Sequence, residues 1–533
     1  MASDDQHDAA SAAIQALTGF INTSTLLPLA QQFSATYSHL AKSSTEHFLV
    51  TPVTALPTGK EKGKFLSIDV GGTNLRVGFV ELIGEPDGAA EDERTRSSTV
   101  GENVFARIKR SHDRDWPIGD HLKMDQAEDL FAWIGDCIAE VVKSALEEQE
   151  TMKDITSPLG DEILLGITFS FPMAQDRLSE ATLLPMGKGF AITSDLNLGK
   201  MLLAGYARYC HTNDAASQLN HSKSQLPRIR VAAITNDTVA TFASLAYAAK
   251  AAPNSRVAMG LIVGTGTNAT VPMKPESLHP DKRSALSNPD AVESVVINTE
   301  WTIRGTDRPL VDLNIKTSWD MTLDANSDAP GFQPFEYMTS GRYLGEIVRL
   351  VFVDVVSKEE SVHVPSSLML KNALPTRFLS EVVARKGGRI VQEELESRYP
   401  DPEDSDDFFW TVDKVELIRD IAEAVQQRSS ALIAAACVGL LNCVGDVALD
   451  KQQTSSNGAH AKGKREIEEL VIAYAGGTIS QYPKWLQTCQ QWIDILVEEG
   501  SSSNKNKQIT LKEAKDGGIV GAGVLAGMTD EIV

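Results

Sequence analysis

Apolar positions along the chain switch between a helical period and short unbroken runs, and each switch marks an element. Between residues 9 and 42 apolar side chains recur at helical spacing with a break at Asn22, Thr23 and Ser24, which predicts two N-terminal helices. Phe65, Leu66 and Ile68 form a run too short for a helix, and Gly71-Gly72 behind it allow a tight turn. A strand and turn are expected there, with a second strand over 77–82 and a polar, mobile hairpin tip over 84–98. Leu130, Phe131, Ile134, Ile138, Val141, Val142 and Ala145 then return every three or four residues, placing an amphipathic helix over 125–148.

Further strands are expected at 163–171, 230–235, 259–263 and 470–474. Pro172 stops the first of these; the others run into Asn236-Asp237-Thr238, Gly264-Thr265-Gly266-Thr267-Asn268 and Ala475-Gly476-Gly477-Thr478. An apolar strand breaking into a Gly/Thr turn thus recurs at irregular intervals, which suggests a fold of two related halves. Loss of apolar periodicity over 214–227 marks the seam between them. A helix is expected within 335–353, and the polar tracts 452–464 and 501–507 read as flexible surface loops. Residues 516–523 form a glycine-rich turn entering a small-residue helix, a candidate second contact for phosphate or adenosine.

Composition narrows the class. At 533 residues, 42% hydrophobic and 23% charged, the chain is a globular protein with room for two cores and a cleft between them. Its net charge of -22 opposes nucleic acid and anionic membrane, so neither is expected as a partner. Five cysteines (Cys137, Cys210, Cys437, Cys443, Cys489) fit no paired metal spacing and read as thiols of a reducing compartment. The acidic start lacks the layout of a signal peptide. The apolar tract 431–449 is interrupted by Asn442 and Asp446 and suits a buried helix, so a cytoplasmic location is expected.

Amides of Gly71, Gly72 and Thr73 could converge on phosphate oxygens while Asp69 orients a hydrated magnesium ion, although an ordinary hairpin with Gly-Gly at its corner has the same pattern. Asp237, beside Asn236 at a strand end, suits a base that takes a hydroxyl proton during phosphoryl transfer. Lys188, between two glycines, could stabilise the transferring group from a loop, and Glu300 and Glu336 are weak candidates taken singly. The near match to a Walker phosphate loop at 458–465 lacks its final Ser or Thr and a preceding strand. Zinc and serine hydrolase motifs are missing from the sequence, and no direct protein ligand to a metal is expected.

Taken together, these residues resemble a eukaryotic, fungal-type hexokinase of the sugar kinase, heat-shock protein and actin superfamily over nearly the whole chain. The matching blocks begin with Asp69-Val70-Gly71-Gly72-Thr73-Asn74-Leu75-Arg76, then Leu165 to Pro172 and Lys188-Gly189-Phe190. They continue with Ile234 to Thr238, Gly264 to Asn268, Asn298-Thr299-Glu300-Trp301 and Gly341 to Arg349. The resemblance implies an α/β, two-domain actin-like ATPase (ribonuclease H-like) fold. It places residues 1–60 as helices on the large domain, 61–228 as the small domain, and 229–533 as the large domain with a C-terminal helix returning to the small one. It implies ATP and Mg2+ as cofactors, a small-molecule hexose as substrate, and a monomer or homodimer.

By the same resemblance Asp237 is the catalytic base, assisted by Lys188 and Arg76, and Ser170, Lys188, Asn236, Asn268, Glu300 and Glu336 line the sugar pocket. Asp69, Gly71, Gly72, Thr73, Asn74, Gly264, Thr265, Gly266, Gly476 and Gly477 would hold the nucleotide. Three stretches depart from the family pattern. Met186-Gly187 stand where Trp-Thr is usual, opening the pocket wall to a C2-modified sugar such as N-acetylglucosamine in competition with glucose. Ala475-Gly476-Gly477 replaces an Asp-Gly-Ser/Thr turn, and Gly517-Gly518-Ile519-Val520-Gly521 replaces Gly-Ser-Gly-Lys/Arg-Gly. The altered loops are expected to touch only the adenosine end of ATP. The expected function is ATP-dependent phosphorylation of a hexose 6-hydroxyl, with a sugar-binding regulator of weak or no turnover as the alternative.

Overall fold

The computed structural model describes residues 2–84, 107–119, 121–122, 127–151, 159–171, 173–184, 196–210, 226–249, 254–286, 288–358, 363–400, 409–450 and 467–531. Thirteen strands lie within these residues. They are β1 (Leu49–Val50), β2 (Gly63–Val70), β3 (Asn74–Leu82), β4 (Ile108–Pro117), β5 (Glu162–Phe169), β6 (Met173–Arg177) and β7 (Glu180–Leu183). Then follow β8 (Arg228–Thr235), β9 (Ser255–Val263), β10 (Thr267–Met273), β11 (Val295–Asn298), β12 (Glu468–Ala475) and β13 (Lys507–Glu513).

Two mixed sheets carry the fold, one ordered β4-β3-β2-β5-β8 and the other β1-β11-β10-β9-β12-β13, while β6 and β7 pair separately. β2, β5 and β8 run parallel, as do β9, β12 and β13. Helices cover both faces of each sheet, so the central strands are apolar throughout rather than alternating. In β12, Leu470, Ile472 and Tyr474 face one core while Val471 and Ala473 face another. The largest core gathers around the helix Val412–Cys443, which is long and apolar enough to cross a membrane but has 94% of its most apolar window buried. The N-terminal helices Ala2–Thr18 and Thr23–Ser43 pack on it, and Gln31, Ser34 and Ser38 bond to Leu449, Asn442 and Cys443. A second core lies between the five-stranded sheet and the helices Ala127–Thr151 and Leu198–Ala207.

The third core joins the two sheets. Val239, Phe242 and Ala243 of the helix Asp237–Ala249 meet Val257 and Val471 on one side and the helix Gly517–Gly527 on the other. That last helix crosses the five-stranded sheet at backbone contact. A Cβ on Gly166 would strike the backbone of Ala522, and one on Gly521 would strike the backbone of Ala240. Because backbone cannot yield as a side chain can, these glycines hold the two helices and the sheet at one spacing.

Several expected elements differ from those observed. The helix expected within 335–353 is present as Gly341–Val356, and a separate short helix, Pro334–Thr339, precedes it with the extended Ser340 between them. The break lets the Gly341 amide donate to the Gly264 carbonyl at 2.7 Å. The 501–507 tract is no open loop: Asn504 is buried and bonds to Ala448 and Val497, and β13 starts at Lys507. β4 is a polar edge strand without apolar alternation, so no period marks it in the sequence. Most of the 84–98 tip and of the 214–227 seam, Pro172, the 186–190 loop and the tract 452–464 lie outside the described residues.

Candidate functional site

Strand register assembles the site. Val70 of β2 pairs with Phe169 of β5, and Thr168 pairs with Thr235 of β8, so Gly71, Ser170 and Asn236 emerge almost level at one edge of the sheet. In the other sheet Ile262 is flanked by Asn268 and Ala475, which brings the turn Gly264-Thr265-Gly266 against Gly476-Gly477. Carboxyl ends of parallel strands are where open α/β sheets leave room for ligands.

At the first edge the β2–β3 turn is closed by a bond from the Gly71 amide to the Asn74 carbonyl at 3.0 Å, and Thr73, Asn74 and Arg76 are exposed. The Gly71 amide is therefore spent inside the turn, which differs from the expectation that it points at phosphate; the amides of Gly72 and Thr73 stay outside that closing bond. Asn236 caps the helix Asp237–Ala249. Its Oδ1 accepts from the Val239 amide at 2.9 Å and the Thr238 hydroxyl at 3.0 Å, leaving Nδ2 to offer a donor. Asp237 is the first residue of that helix and accepts from the Thr238 amide at 2.9 Å. A negative charge there is favoured by the helix dipole.

Asp69 lies close enough to Asp237 for their charges to interact. Burial pushes the Asp69 carboxyl up to about 6, against the pull of Arg76, and the charges of Asp237 and Asp516 add to the rise. Asp516 was expected only as the start of the glycine-rich turn 516–523, with no individual role. It sits in a left-handed turn (φ 52°) before the helix Gly517–Gly527, pairs with Arg76 at 3.4 Å, and pairs with Arg110 of β4. Two residues on, Gly518 abuts Asp69 so closely that a Cβ would run into its carboxylate. The terminal loop thus touches Asp69 and Arg76, the strand residues that flank the Gly71-Gly72 turn, rather than only residues expected at the adenosine end. Ile519 and Val520 are 1% and 2% exposed in the third core, so the position of the family's Lys/Arg is filled here by packed hydrocarbon.

At the second edge, Gly476 has φ 121° and its α-carbon faces Val263 and Gly264, a conformation and a gap that only glycine fits. The Gly264 carbonyl accepts from the Gly341 amide and, at 3.0 Å, from the Thr478 hydroxyl, while Thr265 is exposed. Glu336 is buried against this turn and accepts from the Thr267 amide at 3.2 Å. Glu300 stands in a left-handed conformation (φ 48°) and Asn298 donates to its Oε1 at 2.8 Å. Both glutamates precede or follow rings of one buried aromatic cluster: Trp301 and Phe335 meet edge to face at 5.9 Å, with Phe33 and Tyr37 behind them.

The structure therefore brings Asp69, Arg76 and Asp237 together at one edge. Gly264 to Gly266, Asn268, Glu300, Glu336 and Gly476-Gly477 surround the other. Lys188 lies outside the described residues. Among the described residues no group of three His, Cys, Asp or Glu side chains has metal-ligand spacing. The half-buried Asp69, with two carboxylate neighbours and one arginine, still fits a hydrated magnesium ion carried in by a triphosphate, since added positive charge relieves the cluster.

A stability consequence follows from Asp69. Its folded-state value of about 6 exceeds the ordinary 3.8, so between about pH 4 and 6 the folded chain binds the extra proton and stability falls as pH rises. The difference is worth up to about 3 kcal/mol, reduced by partial exposure to on the order of 1–3 kcal/mol. Asp69→Asn is expected to raise the unfolding midpoint above pH 6 and to leave it unchanged below about pH 4. A gain of equal size at every pH would contradict this origin.

Two family models, both described as Hexokinase, match residues 17–247 and 258–528. Hexokinase-1 of Nicotiana tabacum is 30% identical over 485 residues, covering 90% of this chain and 82% of that protein. The hexokinase of Kluyveromyces lactis is 26% identical over 502 residues, covering 90% and 83%. Among solved structures, the hexokinase of Schistosoma mansoni complexed with glucose superposes with a TM-score of 0.69 at 25% identity, over 98% of this chain and 99% of that one.

Proposed function

The chain belongs to the hexokinase family and is a hexose kinase, and we propose that it transfers a phosphoryl group from ATP to the 6-hydroxyl of a hexose with Asp237 as the base. The observation that carries this reading is the placement of Asp237, at a helix N-terminus, beside Asp69 and Arg76 on the edge that Gly71 and Ser170 share. A carboxylate so placed takes the proton from the sugar hydroxyl as its oxygen bonds to phosphorus. Magnesium-ATP, when bound, supplies the phosphoryl group and charge neutralisation. Arg76, Thr73 and the amides of Gly72 and Thr73 hold the phosphate side, with Asp69 orienting the hydrated ion; Gly264, Thr265, Gly266, Gly476 and Gly477 take the rest of the nucleotide. Ser170, Lys188, Asn236, Asn268, Glu300 and Glu336 are assigned to the sugar, and the glucose held by the similar Schistosoma hexokinase supports a hexose of glucose type. We assign residues 61–228 to the small domain and 229–533 to the large one, and place the reaction in the cytoplasm on the strength of five free thiols.

Met186 and Gly187 support a wider sugar pocket that accepts a substituent at C2, as in N-acetylglucosamine. Restoring Trp-Thr at 186 and 187 should move the preference toward glucose by about 10-fold or more, the worth of one pocket contact of about 1–3 kcal/mol. An unchanged ratio of kcat/KM values removes the C2 reading. A second reading, a sugar-binding regulator with weak turnover, is favoured by Arg76 being tied to Asp516 and by the apolar packing of Ile519 and Val520. ADP release across a wide ATP range with glucose, mannose, fructose, glucosamine and N-acetylglucosamine tests both, alongside calorimetric sugar binding without nucleotide. Sugar binding with no ADP release at any ATP concentration favours the regulator and withdraws the catalytic roles given above.

A further inference from the structure

The side-chain amides of Asn268 and Asn298 form a hydrogen-bond chain that ends on the Glu300 carboxylate, and its direction is set at the Asn268 end. The Ala269 amide, which can only donate, gives its hydrogen to Asn268 Oδ1 at 2.8 Å, and the Thr299 hydroxyl approaches the same oxygen at 3.3 Å. Asn268 must then turn Nδ2 toward Asn298 Oδ1, 2.7 Å away, and Asn298 must turn its own Nδ2 toward Glu300 Oε1, 2.8 Å away. Backbone bonds keep the chain from slackening: the Thr299 amide donates to the Ala269 carbonyl at 3.1 Å and the Phe48 amide to the Thr299 carbonyl at 3.0 Å. Glu300, at φ 48°, is turned out of line with β11 in a conformation that L-residues keep only when their surroundings enforce it.

We propose that Asn298 is a positioning residue for sugar binding: it fixes the Glu300 carboxylate through a directed hydrogen bond, and Asn268 acts through Asn298. This rests on the reading that Glu300 contacts the hexose. A bond that narrows the rotamers of a long glutamate side chain lessens the ordering that the sugar has to impose. The neutral Asn298 donor aims Oε1 without neutralising the charge, so the carboxylate can still accept from a sugar hydroxyl.

Asn298→Asp tests this, because the side chain keeps its shape and still accepts from Asn268 while the donor facing Glu300 becomes a second carboxylate. Two carboxylates at hydrogen-bond distance share a proton as pH falls, which restores a bond between them. With glucose as the probe, KM and calorimetric affinity are measured from pH 8 to pH 5.5, together with kcat and the unfolding midpoint. The expected result is a KM raised about 10-fold or more at pH 8, recovering toward the wild-type value at pH 5.5, with kcat changed much less. Asn298→Ala should raise KM without recovery, and it serves if the first variant does not fold. A KM for Asn298→Asp within two-fold of wild type, or a rise that does not vary with pH, overturns the proposal. Glu300→Gln separates the two layers: if it leaves glucose KM unchanged, the sugar contact itself is wrong. If it raises KM while both Asn298 variants do not, only the positioning role fails.

Discussion

Asp237→Ala will lower hexose phosphorylation at saturating substrates by about 100-fold or more while glucose affinity stays within a few-fold of wild type. The size is the lower end for a positioned general base, and the split between turnover and affinity follows from where Asp237 stands. It is the first residue of a helix whose capping is done by Asn236, so removing its carboxylate takes away neither the cap nor the helix. Glu300 and Glu336 belong to the other sheet's edge, where Glu300 accepts from Asn298 and Glu336 from the Thr267 amide. The grip on the sugar proposed for them is expected to survive. ADP release and calorimetric glucose binding measure the two effects, and ADP release within ten-fold of wild type would remove Asp237 from the role of base.

The second large effect is expected from a residue that carries no chemistry. Gly521→Val places two methyl groups where even a single Cβ meets the Ala240 backbone. The helices Gly517–Gly527 and Asp237–Ala249 must separate, and overpacking of that kind costs about 1–3 kcal/mol, more where the obstacle is backbone. These two helices bring Gly518 and Asp237 close to Asp69, so their separation also moves the proposed base relative to the glycine turn after β2. A displacement of about 1 Å at reacting groups costs on the order of 100-fold in rate. Turnover should fall by about that factor, together with a lower denaturant midpoint. Gly388→Ala, at a position where a Cβ meets nothing, is the control and should leave both unchanged. Normal turnover in the Gly521 variant would show that the helix spacing does not set the site.

Much of the site was legible because its parts are local. Phe65 to Arg76 reads as strand, turn and strand from an apolar run and two glycines, and β2 and β3 flank that turn with register Val70 to Leu75. Asn236-Asp237 reads as the end of the strand expected at 230–235, because the apolar run stops there, while the helix that Asp237 opens and Asn236 caps is a finding of the structure. The extended Ser340 has no signal in the apolar spacing; beyond it the Gly341 and Arg342 amides donate to the carbonyls of Gly264 and Thr265. Asn298 stood inside the Asn298-Thr299-Glu300-Trp301 block without a role, since the bonds on which its proposed role rests are visible only in the structure. Arg110 had no signal at all, lying in a strand whose exposure removes any apolar pattern.

The sequence by itself determined six of the thirteen described strands (β2, β3, β5, β8, β9 and β12), the glycine turns that follow several of them, and which family the ordered blocks resemble. Burial on both faces imposes unbroken apolar runs, and tight turns demand glycine, so these features are written into neighbouring residues. Only the tertiary structure decided that Asp516 ties up Arg76 across 440 residues of chain, that Gly518 yields its side-chain space to Asp69, and that Asn268 supports Glu300 through Asn298. Those pairings depend on strand register and helix packing, where a shift of one residue turns a side chain to the opposite face, and no local period specifies such a shift.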